Sequence, residues 1–353
     1  MISVLITDDS ILMRKRIASI LESDRRIKVV GTARNGKESI EKARELKPDV
    51  ITMDVEMPVM NGLEALKVIV SEMPTPVVMF SSLTTKGAET TIKALEIGAV
   101  DFIPKPSSRK ELMDDTFARH LIFKIRSAVF ARVIKEKSAR KTEKKDVKQK
   151  TSEKKFVSCK DLAVAIGVST GGPKTLLKVI PNIPGDFCGS IFIAQHMPEG
   201  FTKSLAERLD SLSKITVKEA KNGEMVQPGT CYLAQGGGHL KVMKMTLTEG
   251  VMLRISSSPA NALYKPSVDE LFFSVAEAYG GNTIGVVLTG MGRDGTRGMK
   301  KIKSKGGICV SEDESSCIVY GMPKSVEESG LSDYIAVAQD IPGVITSLVK
   351  KKG

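Results

Sequence analysis

Few side chains in this sequence can exchange a proton near neutral pH: its 353 residues include three histidines, His120, His196 and His239. That scarcity lets each imidazole be weighed alone. Cysteine is sparse too. The five cysteines, Cys159, Cys188, Cys231, Cys309 and Cys317, are an odd number with no C-x-x-C spacing. This speaks against a zinc site or a disulfide framework and for reduced thiols in a cytoplasm. No uncharged apolar run reaches the ~18 residues that cross a bilayer. Asp8 and Asp9 interrupt the first apolar stretch before any secretory cleavage site. What remains is ordinary globular composition, 41% apolar and 27% charged, with length enough for two cores.

Positive charge is abundant, and a net charge of +12 raises the question of a nucleic-acid partner. Its placement answers against one. Between Lys135 and Lys155 stand ten basic and four acidic residues, half of the whole excess, with Val147 the one apolar residue besides alanine. Such a stretch cannot bury itself and reads as a linker over residues 131–158, between a domain at 1–130 and another at 159–353. Neither flank interleaves basic and aromatic residues as a single-strand binder does. The expectation is no nucleic acid and no membrane insertion.

Residues 1–130 alternate short apolar runs with amphipathic ones. "ISVLITDD", "IKVVGTA", "DVITMDV", "TPVVMFSS" and "VDFIPKP" read as strands, while Ile11, Met13, Ile17, Ile20 and Leu21 have helical spacing. Five strands alternating with helices predict an α/β fold, a doubly wound parallel sheet with function at the carboxyl ends of its strands. Asp8 and Asp9 close the first run, Asp54 the third and Ser81 the fourth, and Lys105 follows the fifth. Any one of these aspartates alone reads as a helix cap or turn residue. Three carboxylates in one crevice repel each other unless a cation neutralises them, and all-oxygen ligands suit magnesium. Ser81 and Lys105 are then placed to hold the oxygens of a phosphoryl group on Asp54.

With "MDVEMPVMNG" around Asp54 and Lys105 standing before Pro106, residues 1–125 resemble the response-regulator receiver domain. The resemblance implies a flavodoxin-like fold, phosphorylation of Asp54 by a histidine kinase, and magnesium held by Asp8, Asp9 and Asp54. It implies as well that Phe102 is the aromatic switch residue that acts with Ser81.

In the second domain "DLAVAIGVSTGGPKTLLKVIPNI" reads as strand, tight turn and helix. Its turn either cradles a phosphate or presents a nucleophile. Both phosphate motifs miss their diagnostic residues. Ser169 replaces the middle glycine of the dinucleotide fingerprint, the next strand ends in Gln195-His196 instead of an acid, and Lys174 follows Pro173 where a P-loop needs glycine. Gly167-Val168-Ser169-Thr170-Gly171 does fit G-x-S-x-G, in which a sharp turn exposes a serine hydroxyl. If the strands starting near Leu162 and Ser190 are parallel neighbours, Ser169 and His196 project at one edge, and the imidazole is the base a serine nucleophile needs. His120 reads as a helix-face residue; His239, after a glycine-rich turn, is either structural or lines the site. Asp294, in "TIGVVLTGMGRDGTRGM", is either a turn residue beside Gly295 or the carboxylate that orients the imidazole. Gly290, Gly292, Gly295 and Gly298 crowd that loop and point to close backbone approach by another element.

Together "AIGVSTGGP", "AQHMPEGFTKSLAERLD", "PSVDELF", "VVLTGMGRDGTRGM" and "GMPKSV" resemble, in order, the two-domain chemotaxis protein-glutamate methylesterase/glutamine deamidase family. The resemblance implies a second doubly wound, Rossmann-like domain carrying Ser169 as nucleophile, His196 as base and Asp294 as orienting acid. It implies backbone amides of His196 and Met291 as oxyanion donors, no cofactor for the ester chemistry, and methylated chemoreceptor helices as substrate in the cytoplasm. Two segments depart from the family pattern, Ala262-Leu263-Tyr264-Lys265 and Gln235-Gly236-Gly237. A response regulator with a non-catalytic or DNA-binding output domain is the alternative; the absence of a helix-turn-helix pattern weighs against it.

Overall fold

The computed structural model describes residues 1–131, 148–149, 161–245 and 250–349. They form two compact units, Met1–Thr142 and Glu143–Gly353. Of the expected linker at 131–158, most lies outside the described residues.

The first unit runs β1 (Ile2–Thr7), α1 (Ile11–Glu22), β2 (Ile27–Ala33), α2 (Gly36–Leu46), β3 (Val50–Asp54), α3 (Gly62–Glu72), β4 (Val77–Ser81), α4 (Thr85–Ile97), β5 (Asp101–Pro104), α5 (Arg109–Leu112) and α6 (Asp115–Val129). All its strand pairs are parallel, in the order β2-β1-β3-β4-β5. Every residue of β3 and β4 is buried, because helices cover both faces of a sheet wound this way. The winding reverses between β1 and β3, so a crevice opens at their carboxyl ends. His120 stands on the exposed side of α6.

The second unit runs β6 (Lys148–Gln149), β7 (Ala163–Val168), α7 (Gly172–Val179), β8 (Ser190–Gln195), α8 (Phe201–Leu212), β9 (Thr216–Glu219), β10 (Thr230–Leu233), β11 (His239–Lys244), β12 (Val251–Ser256), α9 (Val268–Tyr279), β13 (Thr283–Val287), α10 (Thr296–Ser304), β14 (Ile308–Glu312), α11 (Met322–Glu328), β15 (Tyr334–Ala336) and α12 (Ile341–Ser347). Its main sheet has the order β6-β15-β14-β13-β7-β8-β10-β9. The pairs are parallel except at one edge, where β6, inside the stretch expected to be linker, runs antiparallel to β15. An antiparallel hairpin, β11 with β12, stands apart from the main sheet and packs on α9, whose Ser274 hydroxyl accepts from the Val242 amide. The strands central to this sheet are buried throughout, as apolar runs without alternation require.

The thiols correct one expectation. Cys231, Cys309 and Cys317 are free and buried, but Cys188 is disulfide-bonded. A bridge among five cysteines leaves an odd remainder, and with no C-x-x-C spacing in the sequence neither parity nor motif reveals it.

Candidate active site and phosphoacceptor site

In the second unit the register of β7 with β8 sets Val168 opposite Gln195. The next residue of each strand, Ser169 and His196, therefore leaves the sheet at the same edge. The turn after Ser169 requires glycine at Gly171, which sits at φ 78° as the N-cap of α7 and where a Cβ would fall 2.6 Å from Ile318. On the other side β13 pairs with β7, and the chain beyond it returns past Ser169. The Ser169 amide donates to Thr289 O at 3.0 Å. Gly290 packs so closely that a Cβ there would lie 2.7 Å from that of Ser169.

His196 joins the two. Its Nδ1 lies 3.0 Å from Ser169 Oγ and its Nε2 lies 2.8 Å from Asp294 Oδ2. The ring thus faces the serine with Nδ1, the reverse of the wiring familiar from Ser-His-Asp proteases. Asp294 is held from several sides. Oδ2 also accepts the Val268 amide at 2.8 Å, and Oδ1 accepts the Asp269 amide at 2.9 Å and the Ser267 hydroxyl at 3.1 Å. These donors are the first turn of α9, whose positive end favours a carboxylate. Burial alone would raise the Asp294 carboxyl; the hydrogen bond and charge of His196, with the two amides, outweigh it and hold the group down at about 2. Ser169 is 2% exposed, not presented to solvent as the turn motif predicts. The close packing of Gly290 against it is one cause.

In the first unit one carboxylate oxygen each from Asp8, Asp9 and Asp54 can be grouped within 4.8 Å. Lys105 Nζ lies 2.5 Å from Asp54 Oδ2 and 3.2 Å from Asp8 Oδ2, and that Asp8 oxygen is buried with no hydrogen bond. Burial pushes the Asp54 carboxyl up to about 6 against the pull of Lys105, with Asp8 adding repulsion. The Ser81 hydroxyl is engaged with α4, 2.6 Å from Thr91 Oγ1 and 3.0 Å from Gly87 O. Phe102 is buried in β5.

Comparison with known proteins decides what these two sites belong to. Residues 164–345 match the family described as CheB methylesterase, and residues 4–116 match the response regulator receiver domain. The protein-glutamate methylesterase/protein-glutamine glutaminase of Thermotoga maritima is 48% identical over 350 residues, covering 99% of this chain and 98% of its own. That of Pyrococcus horikoshii is 44% identical over 360 residues, covering 99% and 94%. The crystal structure of the Thermotoga maritima CheB methylesterase catalytic domain has 47% sequence identity and a TM-score of 0.52, covering 53% of this chain and 98% of that one.

This chain belongs to the CheB methylesterase family.

As a CheB methylesterase with a receiver domain it is a phosphorylation-regulated ester hydrolase, and the DNA-binding alternative falls away. Several residues that serve its site were not legible as such. Gln195 donates Nε2–H to Ser169 O at 3.0 Å and fixes the turn from below. Ser267 and Asp269 were visible only within the string "PSVDELF"; a helix N-cap followed by an acidic first turn is the signal they carried. Asp269 answers Asp294 in kind. Its Oδ1 accepts the amides of Gly295 and Gly298 at 3.0 and 2.8 Å, so each carboxylate binds the start of the other's helix. The glycine crowding follows from that exchange, since a Cβ on Gly298 would lie 2.4 Å from Phe272 Cβ in α9.

One expected role meets an obstacle. The His196 amide already donates to Val168 O at 3.1 Å, because His196 prolongs the β7–β8 ladder by one residue. It is therefore not an open oxyanion donor in this state. Met291 directly follows Gly290 at the Ser169 contact.

Proposed function

We propose that Ser169 is the nucleophile, His196 the general base and Asp294 the orienting acid for hydrolysis of glutamate methyl esters on cytoplasmic chemoreceptor helices. The observation that carries this reading is the unbroken contact from Ser169 Oγ through the imidazole to Asp294, 3.0 and 2.8 Å. Asp294 fixes the proton on Nε2, which leaves the Nδ1 lone pair facing the serine hydroxyl. Ser169 Oγ attacks the side-chain ester carbonyl and its proton passes to Nδ1. The negative oxygen develops at the N-terminal end of α7, where the Met291 amide also serves as donor. Collapse expels methanol, which takes the proton from the imidazole, and leaves a glutamyl ester on Ser169. Water then attacks that ester with His196 as base again. A receptor glutamine passes through the same acyl-enzyme and releases ammonia.

Control comes through Asp54, which accepts a phosphoryl group from a histidine kinase. Asp8, Asp9 and Asp54 suit magnesium by their all-oxygen donor set and mutual proximity. Bound magnesium would neutralise charge on the phosphoryl oxygens and these carboxylates. Lys105, already against Asp54, pairs with the phosphoryl oxygens, and the Ser81 hydroxyl leaves its partners in α4 to join them while Phe102 follows. Ser169→Ala tests the chemistry: methanol release from methylated receptor should fall by about 10⁴ to 10⁶ with the fold intact. Activity within tenfold of wild type would place the nucleophile elsewhere.

A further inference from the structure

The segment from Pro259 to Ser267 contains one of the two departures from the family pattern, Ala262–Lys265, and one residue in face contact with the triad. The Tyr264 ring is stacked on the His196 imidazole, with centroids 4.1 Å apart and planes within 16°. Both imidazole nitrogens are engaged at the ring edge, toward Ser169 and Asp294. Rotation of the ring about χ2 would swing both off their partners at once. A flat aromatic face at contact distance opposes that rotation, and its negative quadrupole favours the imidazolium formed when Ser169 loses its proton.

The segment carrying Tyr264 is tied at both ends by one buried residue. His239, at the start of β11 and 0% exposed, accepts the Ser267 amide on Nδ1 at 3.2 Å and faces Pro259 O with Nε2 at 3.3 Å. Because Nδ1 accepts, Nε2 carries the proton, and a neutral imidazole closes the loop by donating to one end and accepting from the other. The second departed segment joins in, for the Gly237 amide donates to Lys265 O at 3.2 Å, next to Tyr264. At the far end Ser267 continues directly to Asp294 through its hydroxyl.

We infer that Tyr264 is a positioning residue for the His196 base, carried on a loop whose two ends His239 clasps. The inference rests on the Ser169-His196-Asp294 reading above. A fluorophosphonate tests it without the receptor: activated Ser169 Oγ bonds to phosphorus, fluoride leaves, and the serine proton passes to His196. In the full-length protein Tyr264→Phe, which keeps the face, should label Ser169 and release methanol within about threefold of wild type. Tyr264→Ala, and Tyr264→Leu, which restores bulk without a ring, should each lose about 10- to 100-fold in labelling rate and kcat, with KM little changed. Unfolding midpoints of the three variants, read alongside, identify any that has not folded; a folded Leu variant suffices. Labelling of a folded Ala or Leu variant at the wild-type rate, or a change confined to KM for receptor, overturns the inference alone. Failure of wild type to label at Ser169 overturns the triad reading and this inference with it.

Discussion

Two aspartates stand at or past the carboxyl ends of parallel strands in this chain, one in each unit, and their surroundings drive them in opposite directions. Asp54 is buried beside a second carboxylate, Asp8, with Lys105 as its close cation and one long amide contact, from Glu56 at 3.4 Å. Burial wins, and the group is pushed up to about 6. Asp294 is mostly buried, its side chain 11% exposed, but His196, Ser267 and two amides of α9 all donate to it, and it is held at about 2. Burial alone does not decide the direction; the number of donors does. The difference fits the two proposed tasks. A carboxylate that must accept a phosphoryl group and a cation is left short of donors, whereas one that must keep an imidazole in place is given as many as its oxygens accept.

The comparison breaks most readily at the donor-rich site. Asp294→Asn keeps the shape but presents an amide N–H₂ toward Nε2, or else swaps that contact for a lost backbone donor. With the N–H₂ toward Nε2 the imidazole proton moves to Nδ1, which then faces Ser169 as a donor and cannot take its proton. Initial rates of methanol release should fall by about 10⁴, as in serine hydrolases with the same change. An unchanged rate would make Asp294 the cap of α9 and no more.

At the donor-poor site the expected effect is smaller, because a regulatory coupling is bounded by the difference between two states. A small-molecule phosphodonor with magnesium should raise methanol release by about 5- to 150-fold, a coupling of about 1 to 3 kcal/mol. The response should vanish in Asp54→Asn and on chelation of the metal, while basal turnover persists. Stimulation that survives Asp54→Asn would detach control from this pocket.

How far the sequence reached follows from the kind of signal each feature carries. The strand readings in residues 1–130 overlap β1 through β5, since β-branched runs between charged helices leave little ambiguity. Ser169 and His196 could be proposed together because two parallel neighbours bring the residues after them to one edge, a deduction from topology. Strand β6 was missed because two residues carry no periodicity, and hairpin β11–β12 because its strands mix buried and exposed positions without clean alternation. Around Asp294 the glycine crowding pointed to close approach by another element but not to which one. Apart from His196, its donors come from α9, about 25 residues away in sequence, and no local pattern announces that one helix start will receive a carboxylate from another. The burial of Ser169 was hidden for the same reason, since packing across loops is not written in either loop; the occupied His196 amide depends on how far the β7–β8 ladder runs, which the strand pattern does not set to the residue.

A third carboxylate sharpens the comparison with the least expected effect on turnover. Glu312 closes β14, next to β13, and is 0% exposed. Burial drives its carboxyl up to about 7, against the pull of the Ser316 hydroxyl and the Thr289 amide, which lie at 2.8 and 2.7 Å. Thr289 in turn accepts the Ser169 amide, so Glu312 lies beneath the Ser169 turn without touching the proposed reacting atoms. The sign is that of a raised acid. Below 4.5, the ordinary glutamate value, the group is protonated folded or unfolded and costs nothing. As pH rises from there through about 7 the unfolded chain ionises first, and stability is lost, by up to about 3 kcal/mol. Glutamine fits the neutral arrangement: its carbonyl accepts from Thr289, and its N–H₂ donates to Ser316 Oγ, whose own proton reaches Asp313 O at 3.3 Å. Glu312→Gln should therefore leave kcat nearly unchanged and match wild type in thermal stability at pH 4. At pH 8 its unfolding midpoint should lie several degrees higher. If the variant is instead less stable than wild type at pH 8, Glu312 works as a charged acceptor in the folded protein, and donor count would not separate it from Asp294.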